Sequence, residues 1–461
     1  MRELCCKKKE FEEYIEKIME TYGAVGMGVT VVSPQKTMYR KFFGWRDEEK
    51  RLPVDENTLF GLASVTKSFT CLAIMQLHEK RKININDPVS QYIPEYRNQN
   101  QKTVRVYHLM SHSAGFFPQK RLCAETVARE MGLWDNGEDL AYSVPFAEEG
   151  LRRVAGNLDR QTHYISDPGE FLSYSNDSYG ILSEIVRRFG GEKTYAEYVK
   201  KYILEPLGME RSGCDFLKTA ADPNVSLLYQ IRDGQKTVTN NFYDNAFVLM
   251  GGGSLKSTIA EMEKYLRMYL LSGWGEMEQI VQSESIGQMV IPQVNYRFGW
   301  KYGFGLSVSR LEDARIIGHG GSLTGVSSYF LWSPELQRGV AVLCNTTGVP
   351  VGNIAMAAMR IMADLPMEEP FDYKEKPWSP RDIEAACGIY TCEEGSRAEI
   401  VKLDSGLGLK EKDTVYPLKM VAGDALLYQE RMSILDLKVF RRKDGTVWGM
   451  RRGGRVLQKE N

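Results

Sequence analysis

The sequence predicts an α+β protein. One antiparallel sheet, assembled from N- and C-terminal segments and flanked by helices, is followed by a small all-β module. Three observations carry this. Strand-like runs cluster at 25–43 and again at 299–344, with mostly helical sequence between them. Amphipathic segments lie just outside both clusters, at 10–22 and 353–362. Beyond a stretch rich in Pro and charge, short strand-like runs alternate with turns towards residue 461.

Taken in order, Phe11, Tyr14, Ile15, Ile18, Met19 and Tyr22 repeat at helical spacing and predict a helix over 10–22. Val25–Val32 and Thr37–Phe43 read as strands joined by the turn Ser33-Pro34-Gln35-Lys36. An extended stretch over 57–63 gives way, at Ser64-Val65-Thr66-Lys67, to a helix reaching Lys80. Residues 117–167 hold charged helical stretches, Glu125–Met131 and Glu148–Val154, around a turn at 134–137. That segment suits a pocket wall or lid as well as a surface insertion. Core helices follow at Ile181–Phe189 and Tyr195–Leu204, then a hairpin pairing Leu228–Ile231 with Lys236–Thr239. Strands are expected at Tyr302–Val308, Ala314–Ile317, Ser327–Trp332 and Gly339–Cys344, and a helix over Asn353–Met362. The division that results is a first domain over 1–363, a linker over 364–380 and an all-β domain over 381–461, the expected strands of a small barrel including Ile400–Leu403, Ala425–Tyr428 and Leu437–Phe440.

Composition narrows the function. The 461 residues are 43% hydrophobic and 26% charged with a formal net charge of −1, so nothing favours a nucleic-acid partner or an anionic membrane. No run approaches the roughly 18 apolar residues that would span a bilayer. Met1–Lys7 leads straight into a charged amphipathic helix without the apolar core of a secretory signal, so the expected location is cytoplasmic. Eight scattered cysteines read as free thiols. With five histidines, none near the pairs Cys5-Cys6 and Cys387/Cys392, neither a metal site nor a cofactor is expected.

Chemistry concentrates in three places. Ser64 and Lys67 lie one helical turn apart at a helix start, where free N–H groups and the helix dipole favour an oxyanion. About 110 residues later, Tyr174-Ser175-Asn176 offers a phenol and an amide projecting to one side of an extended segment. A protonated lysine beside Tyr174 would lower its pKa and make it a general base. Finally, Gly318-His319-Gly320-Gly321-Ser322 interrupts two strand runs, its glycines allowing a ligand close to the backbone.

Together, in this order, these motifs resemble the serine β-lactamase and penicillin-binding-protein family, in its class C-like branch with related esterases and D-aminopeptidases. Supporting stretches are His108-Leu109-Met110-Ser111-His112-Ser113-Ala114-Gly115, Ile203–Met209, Gly251–Thr258 and Tyr302–Leu306. The resemblance covers about residues 10–362 and implies a β-lactamase/transpeptidase-like domain with an all-helical subdomain. It implies Ser64 as the acylated nucleophile, with Lys67 and Tyr174 sharing its proton. Asn176, His319, Gly320, Gly321 and Ser322 would bind substrate, the N–H groups of Ser64 and Ser322 forming the oxyanion hole. His108 and His112 are read as structural. The sequence departs from the family's K-T-G motif, since His319 replaces the lysine that attracts a substrate carboxylate, and H-x-G resembles the D-aminopeptidases. The C-terminal module resembles lipocalin-like domains of some peptidase and esterase members. The expected activity is a serine hydrolase acting on a small amide, peptide or ester. Acyl transfer, β-lactam hydrolysis and a penicillin-binding sensor without turnover remain alternatives.

Overall fold

Seven consecutive residues of Gly26–Val32 are buried, as expected of a strand covered on both faces. This strand lies near the middle of a nine-stranded sheet. The order is Leu52–Pro53, Thr37–Asp47, Gly26–Val32, Arg338–Cys344, Val326–Ser333, Ala314–Leu323, Ser307–Leu311, Lys301–Tyr302 and Val294–Asn295. Every pairing is antiparallel, and Val29 faces Val342 where the N- and C-terminal segments meet. The computed structural model describes residues 4–97, 102–134, 136–161, 164–243, 246–422 and 424–460. Asp135 of the expected 134–137 turn therefore lies outside the described residues.

The alternation of the strands separates two cores. On one face Val29, Val31, Val340 and Val342 pack against Phe11, Ile15 and Ile18 of the helix Lys8–Tyr22 and against Ile354, Ala358 and Met359 of the helix Val351–Met362. Each such side chain contributes about 1.5–3 kcal/mol by leaving water. On the other face the helix Ile259–Leu270 covers Phe330, Ala341 and Leu343, and beyond it lies the helix Thr66–Glu79. That helix is buried from Thr66 to Leu77, its polar residues Thr66, Lys67, Ser68, Thr70 and Gln76 included.

Three boundaries differ from the sequence-based expectation. The run Tyr302–Val308 is not one strand: Gly303 N donates to Leu306 O, and the chain turns at Gly305, with φ 68°. A Cβ on Gly305 would stand 2.8 Å from Lys67 O, so the turn packs directly on the serine helix. Conversely, the strand begun at Ala314 runs through the glycines to Leu323. Asn176 is the first residue of a helix, Asn176–Gly190, capped by the Ser175 hydroxyl, rather than part of an extended segment.

After residues 365–379, which form no helix or strand, a helix Pro380–Ala386 precedes eight strands, from Gly388–Thr391 to Arg455–Lys459. They close into an antiparallel barrel, first strand paired to last at Tyr390 and Lys459. Tyr390, Leu409, Leu437, Met450 and Leu457 fill it. The barrel rests on the sheet domain, with Asn353 Nδ2 donating to Met432 O at 2.7 Å and Tyr174 N donating to Gly454 O at 3.0 Å. Among the described residues no helix is long and apolar enough to cross a membrane.

Candidate active site

Ser64 occupies a 3-10 turn, Ala63–Val65, that runs into the helix Thr66–Glu79. The turn is entered through Ala63 at φ 47°, a left-handed conformation costing an alanine about 1–2 kcal/mol. Neighbouring segments hold it there. Leu62 N donates to Leu255 O at 2.8 Å, and the Ser328 hydroxyl donates to Leu62 O at 2.7 Å.

Lys67 is fully buried one turn on. Its Nζ lies 3.1 Å from Ser64 Oγ, 2.8 Å from Asn176 Oδ1 and 2.7 Å from Gly252 O. No carboxylate pairs with it among the described residues. Burial, reinforced by the Arg455 charge, holds the amine well below the ordinary lysine range. A neutral amine has two N–H groups and one lone pair. Three oxygens surround this nitrogen; in the neutral form the Asn176 and Gly252 oxygens, which only accept, would take both N–H groups and leave the lone pair to the Ser64 hydroxyl. The Asn176 amide is oriented by its other end, where Nδ2 donates to Glu394 Oε1 at 3.3 Å.

Tyr174 is also buried, hydrogen-bonded to Ser64, its ring centroid 4.8 Å from Lys67 Nζ. The expected acidification of this phenol is not found. Burial, with the neighbouring Tyr296, raises its pKa above that of free tyrosine. The nearby Arg455 charge opposes this rise but does not outweigh burial. Tyr174 is thus a protonated phenol, a donor rather than a base.

The third motif also behaves differently from expectation. His319 Nδ1 lies 2.6 Å from Gly320 O, so it carries the proton, and Nε2 accepts from the Tyr302 hydroxyl at 2.8 Å. Burial lowers its pKa to about 3. With both nitrogens engaged and no charge, His319 cannot hold a substrate carboxylate. Gly320 and Gly321 lie on a strand that passes the serine turn. A Cβ on Gly321 would stand 2.2 Å from Leu62 O and 3.0 Å from Ser64 N, so only glycine lets the strand come this close. Ser322 follows, exposed, opposite Ser327.

His112 supports this group from behind. Its Nδ1 accepts from Ser175 N at 3.1 Å, and its ring stacks on Tyr174 with centroids 3.9 Å apart. His108 Nδ1 accepts from Arg105 N at 3.0 Å, closing a helix start. His163 lies outside the described residues.

Two residues of the site escaped the sequence. Glu394, on a barrel turn, and Arg455, at the start of the strand Arg455–Lys459, form a two-pronged ion pair at 2.7 and 3.0 Å. The Arg455 guanidinium lies 4.6 Å from the Tyr174 ring centroid. Next to them burial, with the Glu394 charge, raises the Asp177 carboxyl to about 7. Small recesses flank Ser64. One is lined by Ala63, Phe216, Leu228, Phe242 and Val326, the other by Arg121, Tyr174, Asn176, Asp177 and Glu394. Through Pro118, Gln119 and Arg121 the second recess continues into a groove of about 840 Å³ between the helical segment and the barrel. Residues 117–161 therefore contribute a pocket wall.

Comparison with known proteins agrees with this geometry. The family model described as Beta-lactamase matches residues 11–361. The Staphylococcus aureus (strain MW2) "Protein flp" is 23% identical over 352 residues, which are 73% of this chain and 63% of that protein. The chain thus spans under two thirds of the length of these curated relatives. A Yersinia enterocolitica protein named "Beta-lactamase" is 28% identical over 219 residues, 47% of this chain and 49% of that one. Among solved structures, the octameric penicillin-binding protein homologue from Pyrococcus abyssi superposes with a TM-score of 0.67 at 27% identity, covering 98% of this chain and 99% of that one. SurE superposes over the whole of both chains with a TM-score of 0.71 at 19% identity, a likeness of fold alone.

Proposed function

Because the chain belongs to the beta-lactamase family of serine enzymes, we propose that Ser64 is acylated by a small peptide or amide, which the enzyme then hydrolyses in the manner of a D-aminopeptidase or esterase. The observation that carries this reading is the buried Lys67 amine, held well below the ordinary lysine range, 3.1 Å from Ser64 Oγ and within reach of the Asn176 and Gly252 oxygens, which can take two of its N–H groups. In the proposed cycle Lys67 accepts the Ser64 proton as Oγ bonds to the substrate carbonyl carbon. The oxyanion that forms is held by the N–H groups of Ser64 and Ser322, a contribution of about 3–4 kcal/mol per donor in acyl-transfer enzymes. The Tyr174 phenol donates a proton to the departing amine and is reprotonated from Lys67, whose freed amine then activates water for deacylation.

The barrel bears on the substrate class. Glu394 and Arg455 stand over Asn176 and Tyr174, and the recesses beside Ser64 are narrow, which favours a slim acyl group over a fused-ring lactam. The continuous groove past Arg121 favours an extended leaving group. The test is labelling by a fluorophosphonate probe, followed by a panel of D- and L-aminoacyl amides, short esters and a chromogenic cephalosporin. Labelling is expected in the wild type and absent from Ser64→Ala, with amide turnover exceeding cephalosporin turnover. Labelling that persists in Ser64→Ala would overturn the mechanism. An adduct that intact-mass measurement finds undiminished over hours would mark a sensor instead.

A further inference from the structure

The two recesses beside Ser64 differ in kind. The one at Tyr174 and Asn176 continues past Arg121 into the long groove, which suits a leaving group. The other, of about 30 Å³, starts at Ala63, next to the nucleophile. It is left for the side chain of the acyl group. That space exceeds the need of a single water and takes a side chain of only a few heavy atoms. Phe216, Leu228, Phe242, Leu323 and Val326 make its walls largely apolar, and among its lining residues Lys256 alone is ionisable.

Lys256 reaches the recess from a short strand, Lys256–Ser257, in which it pairs with Gly61, three residues before Ser64. Only 3% of it is exposed. Its ammonium donates to Cys214 O at 2.9 Å and lies 3.6 Å from the Phe216 ring centroid and 5.7 Å from that of Phe242. Because both rings line the recess, the charge stands at its wall. Among the described residues no carboxylate lies within 4.0 Å of this nitrogen. Asp139 and Asp215, the acids whose charge it feels, are committed elsewhere. Asp139 accepts from Phe216 N and Leu217 N at 2.6 and 2.7 Å, and Asp215 is hydrogen-bonded to Tyr142. Burial lowers the Lys256 pKa to about 8, so at neutral pH the group is still mostly a cation. An ammonium has three N–H donors, and one carbonyl and one ring face leave it short of acceptors. A buried cation in that state is costly unless an acceptor reaches it from the recess.

Resting on the reading that Ser64 is acylated, we propose that this recess selects an acyl group with a short acidic side chain, whose carboxylate pairs with the Lys256 ammonium. The methylenes of that side chain lie against Leu228, Phe242 and Val326. The uncharged His319 cannot hold an acid group of the substrate, and Lys256 supplies the cation on the acyl side of the serine instead. The small volume limits the side chain to about the length of aspartate or glutamate and keeps out bulky apolar groups.

The α-4-nitroanilides of glutamate and glutamine, each as the D and the L isomer, test this in the full chain. The two side chains differ in charge and hardly in shape. In the wild type kcat/KM for the glutamyl substrate should exceed that for the glutaminyl one by about tenfold or more, the value of a hydrogen bond to a charged group. Lys256→Met, apolar and of similar length, should bring that ratio to about one or below by slowing the glutamyl substrate. Asn241→Asp sets an acid in the recess wall without changing its shape, and should lower the ratio in the same way. If Lys256→Met does not fold, the wild-type ratio and Asn241→Asp decide the matter. Equal kcat/KM for the two substrates in the wild type overturns the proposal and leaves acylation of Ser64 standing. So does a ratio that survives in Lys256→Met, or fluorophosphonate labelling of Ser64 without turnover of either glutamyl isomer. Absence of labelling at Ser64 is a separate outcome, which overturns the parent reading and this proposal with it.

Discussion

Asn176→Asp changes one atom beside Lys67 and should silence Ser64 at neutral pH. The Asn176 oxygen lies 2.8 Å from Lys67 Nζ, so the substitution places a carboxylate against an amine that is now neutral. At an effective dielectric of ~20, opposite unit charges at that separation attract by about 6 kcal/mol. Desolvation and competing hydrogen bonds consume much of this, and an opposite charge at such range typically shifts a pKa by about 1–3 units. A rise of about 2 units reduces the free amine by up to about 100-fold, in full only at a pH below both the old and the new value. The pH profile of fluorophosphonate labelling should therefore move up by about 2 units, with the rate falling below the raised value and recovering as pH rises. Shape is preserved, and an acid at the first residue of the helix Asn176–Gly190 suits its dipole, so folding is not at risk. A labelling rate at pH 7 equal to wild type, with the same pH dependence, would refute the neutral-lysine account.

Other perturbations bear on the same geometry. Gly321→Ala would drive a methyl group against Leu62 O and Ser64 N and push the strand from the serine turn, so labelling should drop by about 100-fold, as the loss of an oxyanion donor would give, with a fall in thermal stability beside it; unchanged labelling would remove this strand from the site. Arg455→Met deletes a charge that lowers the Lys67 pKa and strands Glu394, whose charge raises it, so the pH profile of labelling should move to higher pH. A profile that stays in place would deny the barrel an electrostatic role. Burial holds His108 at about 4 and His319 at about 3 in the folded chain, against about 6.5 when unfolded. Below pH ~6.5 the unfolded chain therefore binds more protons, and stability should fall with pH by about 1.4 kcal/mol per unit for each of these rings, until the folded ring is itself protonated. Urea midpoints measured at pH 7.5 and 5 test this, and identical midpoints would contradict the neutral rings.

Much of the site was legible because its parts follow local rules. Ser64 and Lys67 are neighbours on one helix, and Gly321 is fixed by how near a strand passes. What escaped the sequence depends on the enclosing structure. Burial that neutralises Lys67 and keeps Tyr174 protonated is a property of packing contributed by Gly252, Tyr179 and the barrel, none of it local to the serine helix. The low pKa of His319 comes from the same enclosure. Glu394 on a turn and Arg455 at the start of the strand Arg455–Lys459 are 61 residues apart, and Gly453-Gly454-Arg455 reads as an ordinary hairpin end. The interruption of Tyr302–Val308 was hidden because its residues suit a strand, and only the approach of Gly305 to Lys67 O requires the turn.

These contacts make the barrel a functional part of the proposed site. Gly454 O anchors Tyr174 N, Arg455 covers the Tyr174 ring, and Glu394 orients the Asn176 amide that in turn orients Lys67. Arg455 and Glu394 are joined to each other, so they exclude water from Lys67 while adding almost no net charge. A single acid in that position would favour the ammonium form, and an open, hydrated site would do the same, because water solvates the charged amine. Under the proposed mechanism either change would protonate the base. The paired charges on the barrel are thus an arrangement that encloses the lysine without adding an acid that would hold it protonated.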